Sequence, residues 1–395
     1  MSDYKHLGVL PVLVALLLSA CAETPPPAPL PPPPPPILSA PTPPPAPPLP
    51  PPAPTVAATA APAPAAVPEA PPPAPSPPPT LARGTGTKAD KALAEGDTAF
   101  AKGDYAAAEK AYKQAVSLDA KDPAGIVGHV RARTARLDTP TDYNAAPRDP
   151  TLQGAVKDLK RAVKLDDGYA PAHLELGRAL LVLGRADEAF AELKRAVELA
   201  PNDAEAHSAL GVAHVAQGRL PDATRELARA ADLAPGDAER HTNLGTALLA
   251  GGKTEDAIRA YEKAVRLAPS DARIRNDLGT ALLAANDPAR AIPHLEAAVT
   301  RDPQKATYRS NLGYAYHLKG DLDKAMNLYR EALKIDEKLG SAWINLGNAL
   351  AQKGNYKEAR ESYQKAQAID PTDPRVKAVM QELDALEKGK PGAAP

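Results

Sequence analysis

Residues 238–271 read AERHTNLGTALLAGGKTEDAIRAYEKAVRLAPSD, and residues 272–305 read ARIRNDLGTALLAANDPARAIPHLEAAVTRDPQK. The second stretch restates the first at an offset of 34 residues. Leu244 and Gly245 recur as Leu278 and Gly279, Leu312 and Gly313, and Leu346 and Gly347 toward the C-terminus, and as Leu210, Gly211, Leu176 and Gly177 toward the N-terminus. Units begin at Ala170, Ala204, Ala238 and Ala272. A second set of small residues comprises Ala189, Ala223, Ala257, Ala291, Ala325 and Ala359, and a third Ala196, Ala230, Ala264, Ala298, Ala332 and Ala366. Pro201, Pro235, Pro269, Pro303 and Pro371 close many of the units. A fixed period of this length marks an array of supersecondary units rather than one globular core.

Within a unit, apolar positions fall three and four apart in two runs. A turn near Gly184, Gly218, Gly252, Gly320 or Gly354 separates them, and a proline that cannot continue a helix follows the second. Each unit reads as a helix hairpin. The Gly of the first helix and the Ala of the second are expected to face each other and permit close approach, with Tyr261, Leu295, Tyr329 and Tyr363 filling the wider side. Period and pattern resemble the tetratricopeptide repeat, whose consensus carries an aromatic at position 4, Leu-Gly at 7 and 8, Ala at 20, an aromatic at 24, Ala at 27 and Pro at 32. The resemblance covers about residues 89–373. It implies an all-α fold, an α-solenoid in which about eight hairpins stack into a right-handed superhelix.

Some units depart from the pattern. The first has Ala120 where proline is expected, the sixth Asn286 in place of the turn glycine, and the seventh Glu337 in place of the closing proline. The second lacks Leu-Gly in its first helix, and about 13 extra residues precede Ala155, pointing to an insertion near 137–150. The expected organisation is a repeat region over 83–373, a C-terminal capping helix over 374–388 with Val376, Val379, Met380, Leu383 and Leu386 on one face, and a disordered tail over 389–395.

The N-terminal part follows other rules. Residues 7–18, LGVLPVLVALLL, have the length of a signal-peptide core and are too short to span a bilayer. The run ends in Leu18, Ser19, Ala20 and Cys21, which resembles the bacterial lipoprotein lipobox. That resemblance implies cleavage of 1–20 and a diacylglycerol on Cys21, whose thiol is the nucleophile the modification needs. An ordinary secretory signal with Cys as the first mature residue is the competing reading. Ala at position 22, rather than Asp, implies sorting to the outer membrane by the same analogy. Residues 21–82 then read as a disordered Pro-rich linker. Between Ala22 and Thr80 there are 30 prolines and only two charges, Glu23 and Glu69, so nothing there buries a core and a polyproline II spacer is expected.

The whole chain has 395 residues, 47 Lys plus Arg against 48 Asp plus Glu, and one cysteine. That charge balance gives no counterion-release drive toward nucleic acid, and a lone cysteine excludes both an intrachain disulfide framework and a cysteine-rich zinc site. His173, His207 and His241 share position 4 of successive units. Helices about 8–10 Å apart cannot bring them to one ion, so they are expected to pack in place of the consensus aromatic, as Trp343 does. No metal, cofactor or catalytic constellation is expected.

Positions 2, 5, 6, 9, 12 and 13 of each first helix are left free by packing and share one face, which lines the inside of the superhelix and is where ligands of the resembled family lie. Position 6 is Asn243, Asp277, Asn311 and Asn345 in the last four units, with Asn276, Tyr314 and Asn348 nearby, a polar ladder like that in the repeat superhelix of protein O-GlcNAc transferases. Such amides fit either of two roles, pairing with the backbone of an extended peptide or capping and solvating the helix. Arg178 sits among Leu174, Leu181 and Val182 on the same face further toward the N-terminus. The reading is a non-enzymatic scaffold, lipid-anchored in the bacterial outer membrane and facing the periplasm, with the inner membrane or the cell surface as the alternative, that binds protein or peptide partners on its concave face. Assembly of a pilus, secretion, motility or cell-wall machine is the expected setting. The alternative is an accessory subunit that positions a cell-wall or glycan-modifying enzyme.

Overall fold

The computed structural model describes residues 80–136, 146 and 148–388. Cys21, the segments 1–20 and 22–79, most of the insertion near 137–150 and the tail 389–395 lie outside the described residues. Among the described residues there are seventeen α-helices and no strand. The helices are α1 Lys88–Ala101, α2 Tyr105–Leu118, α3 Pro123–Arg136, α4 Pro150–Leu165, α5 Ala170–Val182, α6 Ala186–Leu199, α7 Ala204–Ala216 and α8 Leu220–Leu233. They continue as α9 Ala238–Ala250, α10 Thr254–Leu267, α11 Ala272–Ala284, α12 Pro288–Arg301, α13 Ala306–Leu318, α14 Leu322–Ile335, α15 Gly340–Gln352, α16 Tyr356–Ile369 and α17 Pro374–Lys388. Each odd helix packs on the even helix that follows, and hairpins stack in chain order, which is an α-solenoid.

Odd-numbered helices also touch the next odd-numbered helix all along the array, so they form the inner wall and the even-numbered helices the outer one. Buried polar side chains obey this division. Of the fourteen among the described residues, only Ser362 lies on an even-numbered helix, which places this chemistry on the inside.

Local interactions explain where helices start and stop. Asp203, Asp237, Asp271 and Asp321 accept hydrogen bonds from main-chain N–H groups of α7, α9, α11 and α14, which satisfies donors that a helix cannot. Gly184, Gly218, Gly252, Gly320 and Gly354 end first helices with φ between 71° and 89°, a region that penalises other side chains. Asn286 takes the same turn at φ 57°, with its N–H donating to Leu283 O at 2.9 Å. Asn tolerates this region better than other non-glycine residues. Asn286→Ala is therefore expected to cost about 1–2 kcal/mol while Asn286→Gly stays near wild type, as read from urea unfolding midpoints.

Two packing devices differ from what the pattern predicts. The glycine at position 8 faces the position-24 side chain together with the main-chain carbonyl of the position-20 alanine, Ala189, Ala223 or Ala325. A Cβ on Gly313 would stand 2.7 Å from Tyr329 Cε1, and one on Gly279 2.6 Å from Leu295 Cγ, distances no real contact tolerates. Position 4, read as an aromatic packing site, carries an N–H donor in six successive units. His173, His207, His241, Arg275, Arg309 and Trp343 each donate to the main-chain carbonyl six residues earlier, Asp167, Pro201, Pro235, Pro269, Pro303 and Glu337, at 2.8–3.1 Å where ordinary. Each bond ties the first helix to the turn that precedes it. His173 and His207 also pair through Nδ1 with Glu192 and Glu226 of the second helix, both at 2.7 Å. The Glu192 hydrogen bond, working against burial, raises the His173 pKa.

Candidate functional site

The inner wall divides into a charged half and an amide half. Arg131 of α3 donates from Nε to Glu175 Oε1 of α5 at 2.9 Å. Arg178 of α5 donates to Glu205 Oε1 of α7 at 2.8 Å, and Arg240 of α9 reaches the other oxygen of the same carboxylate. Glu205 is thus held between guanidiniums from the units on either side. Burial opposes its charge, but Arg178 and Arg240 outweigh burial and draw its pKa down to about 2. Arg131, Arg178 and Arg240 are pushed up for the matching reason, burial being outweighed by their carboxylates. Arg178, expected to face a ligand, is committed to this network.

Further along, Asn243 donates from Nδ2 to Ser208 of the preceding unit at 3.1 Å, and its Oδ1 is buried without a partner among the described residues. Asn311 donates to Asn276 Oδ1, again one unit back, at 2.8 Å, while Asn276 donates to Asp277 at 3.4 Å. Asp277 is buried with Arg273 at 3.8 Å; burial dominates and lifts its pKa to about 6. The polar ladder read from the sequence therefore lies on the inner wall, and Asn243, Asn276, Asp277 and Asn311 are largely knitted to one another across units.

Position 9 has a role that the sequence reading did not assign. In three units it receives the hydroxyl of the buried position-24 tyrosine: Tyr112 Oη donates to Asp97 at 2.8 Å, Tyr261 Oη pairs with Thr246 at 2.8 Å, and Tyr363 Oη donates to Asn348 Oδ1 at 2.8 Å. In the seventh unit position 9 is Tyr314. Tyr329 Oη is there buried without a partner among the described residues, beside a Tyr314 that is 41% exposed. Leu318, one turn on, is 37% exposed, and Asn345 of α15 has no side-chain partner among the described residues. Because Asn348 Oδ1 is taken by Tyr363, its NH2 is the part left to face the trough. Units seven and eight thus present an exposed ring above a buried orphan hydroxyl, with amides beside them.

Among the described residues no group of three His, Cys, Asp or Glu side chains is placed to hold a metal ion, and no helix is long and apolar enough to cross a membrane. His173, His207 and His241 are each engaged separately, as given above.

Three family models described as tetratricopeptide repeat match the chain, one at 242–292 and 276–339, one at 151–213, 183–248 and 316–383, and one at 93–122. Together they span well over half of it. Among curated proteins no sequence matches. Among solved structures the chain is similar to the Cut9–Hcn1 hetero-tetramer of the APC/C, with a TM-score of 0.56 and 17% identity over 76% of this chain. It spans 57% of that chain. It is also similar to Pseudomonas aeruginosa pilF (TM-score 0.46, 19% identity, 55% of this chain and 98% of that one) and to YrrB, a TPR protein with an unusual peptide-binding site (0.38, 23%, 48% and 97%). At these identities the likeness is one of fold.

Proposed function

Because the chain belongs to the tetratricopeptide-repeat family, we propose that it is a non-enzymatic scaffold whose inner wall binds protein partners and whose Cys21 carries a lipid that holds it to the bacterial outer membrane. The observation that carries the binding part is the inner wall of the seventh and eighth units. There Tyr314 and Leu318 are exposed, Asn345 has no side-chain partner among the described residues, and Tyr329 Oη is buried without one, at a cost of about 1–3 kcal/mol for such a buried group. Tyr is also among the residues on which interface energy concentrates. An extended peptide offers carbonyls to the amides and an apolar side chain to the ring. The lipid part rests on the sequence Leu18-Ser19-Ala20-Cys21 after an apolar run, followed by a proline-rich spacer. A periplasmic setting, in assembly of a pilus, secretion, motility or cell-wall complex, follows from that anchor.

Two variants of the full chain test the two parts. Tyr314→Asn supplies the acceptor that Asn348 supplies to Tyr363, so it is expected to raise stability by about 1 kcal/mol while weakening partner capture from envelope extracts at least fivefold. Capture undiminished by Tyr314→Asn removes this face as the binding site. Cys21→Ala is expected to abolish labelling by a palmitate analogue and release the protein from membranes; persistent labelling refutes the anchor.

A further inference from the structure

Three units carry a carboxylate at position 2 of the inner helix: Asp90 on α1, Glu205 on α7 and Glu239 on α9. Asp90 accepts the main-chain N–H groups of Arg83 and Gly86 at 2.7 and 3.1 Å. Glu205 is clamped by Arg178, 27 residues earlier, and by Arg240, 35 residues later. Glu239 stands in the same register one unit on, and the same two offsets lead from it to Val212 and Ile274, both buried aliphatic side chains. Among the described residues its carboxylate has no hydrogen bond and no ion pair.

Its own helix supplies no donor. Thr242 and Thr246 turn their hydroxyls to the carbonyls of Ala238 and Thr242, and Asn243 gives its Nδ2 to Ser208. The two guanidiniums whose charge reaches Glu239 are engaged elsewhere, Arg240 with Glu205 and, at 3.4 Å, with Asp237, and Arg273 with Asp277 at 3.8 Å. Glu205 and Glu239 both lie in the first turn of a helix, where the N-terminal dipole favours a negative charge. At Glu205 burial is outweighed by Arg178 and Arg240, and the pKa falls to about 2. At Glu239 burial prevails over Arg240 and Arg273, with Glu205 and Asp237 adding to it, and the pKa rises above the ordinary value. Register and dipole are shared, so the difference between the two acids is the missing clamp.

We propose that Glu239 seats an arginine side chain of the partner segment bound along the inner wall. The proposal rests on the reading of that wall as the partner site and adds the chemistry of the partner. A guanidinium is planar and always charged, and it offers a carboxylate the N–H groups that Glu205 already receives from two neighbours. Glu239 is half-buried rather than enclosed, so a side chain entering from the trough can reach it. Two inner-helix steps, α9 to α11 to α13, separate it from the exposed Tyr314 and Leu318, roughly 16–20 Å or about five to six residues of extended chain. The motif that fits is therefore an arginine set off by that interval from an apolar side chain.

The test uses fluorescent Ala/Ser peptides that carry one Leu and, about six residues away, either Arg or Gln, synthesised in both sequence orders and titrated into the purified full chain. In one order the Arg peptide is expected to bind at least fivefold more tightly than its Gln counterpart. Glu239→Gln is expected to bring the two within twofold of each other, with helical circular dichroism unchanged. Glu255→Gln, which removes an exposed carboxylate of the outer-wall helix α10, is expected to leave the preference intact and so separates a seat from bulk charge. No binding by the Arg peptides, equal binding of Arg and Gln peptides, a preference that survives Glu239→Gln, or one that Glu255→Gln also removes overturns the proposal. The scaffold reading is judged separately: partner capture lost in Tyr314→Asn, alongside equal binding of the Arg and Gln peptides, leaves the inner wall as the partner site and removes the arginine seat.

Discussion

Glu205→Ala is expected to cost the folded state about 3–5 kcal/mol, because it leaves Arg178 and Arg240 facing each other with no carboxylate between them. The position of the loss matters as much as its size. The apolar core forms one long cluster over Leu81–Ala213 and another over Leu248–Leu383, joined by a small group of Ala223, Leu227 and Ala247. Glu205 joins side chains from three successive units across that junction. In a repeat array, stability is a sum of units and nearest-neighbour interfaces, so weakening one interface uncouples the blocks on either side. Urea unfolding followed by circular dichroism is expected to change from one transition to two, with a lower apparent slope for each. Replacing the whole cluster, Arg178→Leu with Glu205→Leu and Arg240→Met, is expected to recover most of the loss, since apolar side chains fill the same space without stranded charge. A triple variant as unstable as Glu205→Ala would show that stranded charge is not the cause.

The same carboxylate gives an acid limb. Its folded pKa of about 2 lies below the ordinary 4.5, so between those values the unfolded chain binds more protons. The stabilisation is fully present above about pH 4.5 and is lost as the pH falls toward 2. It is on the order of 3 kcal/mol. The side chain is about three-quarters shielded from solvent, which keeps this interaction from being screened away.

Legibility in the sequence followed contact range. The Leu-Gly pair, the small residues and the turn glycines repeat at fixed offsets, and their partners lie within one hairpin, so period alone placed Gly313 against its own second helix. It did not show that the opposing group is Tyr329, because Ala and Tyr recur with equal regularity and only the crossing geometry separates them. The inner-wall amides were legible as a face. Their consumption was not, since Asn243 finds Ser208 and Asn311 finds Asn276 across 35 residues, one unit plus one position, a relation that depends on how far each unit rotates on the last. The pairing of Arg178 with Glu205 of the next unit was hidden for the same reason. The donor requirement at position 4 was visible in retrospect in the mixture His, Arg and Trp, three residue types whose common property is an N–H rather than a ring. The N-terminal readings, Cys21 among them, concern residues outside the described part.

Asp277→Asn is expected to stabilise the protein by about 2–3 kcal/mol at pH 7.5 and to have little effect at pH 4. The position-6 residue is an amide in the units on either side, Asn243 and Asn311, and a carboxylate here. Burial raises its pKa from 3.8 to about 6, and neither Arg273 at 3.8 Å nor the Asn276 amide at 3.4 Å restores the charge. Surrounding groups from other helices do not help: Tyr261 of α10 turns its hydroxyl to Thr246, and the Tyr308 and Tyr261 pKa values are raised, by burial first and by the Asp277 charge second. A folded pKa above the unfolded one means the folded chain holds the proton more tightly, so stability falls as pH rises from about 4 to 6 and stays lower above that. This slope is opposite in sign to that of Glu205. Asn removes the penalty at neutral pH and forfeits only a loose contact to a partly exposed guanidinium. Unfolding midpoints of both chains at pH 4, 5 and 7.5 check it: the difference should grow from near zero to its full value across that range. A variant less stable than the parent at pH 7.5 would mean that Arg273 holds the carboxylate charged, and Asp277 would then be an ion-pair partner like Glu205 rather than a strained member of the amide ladder.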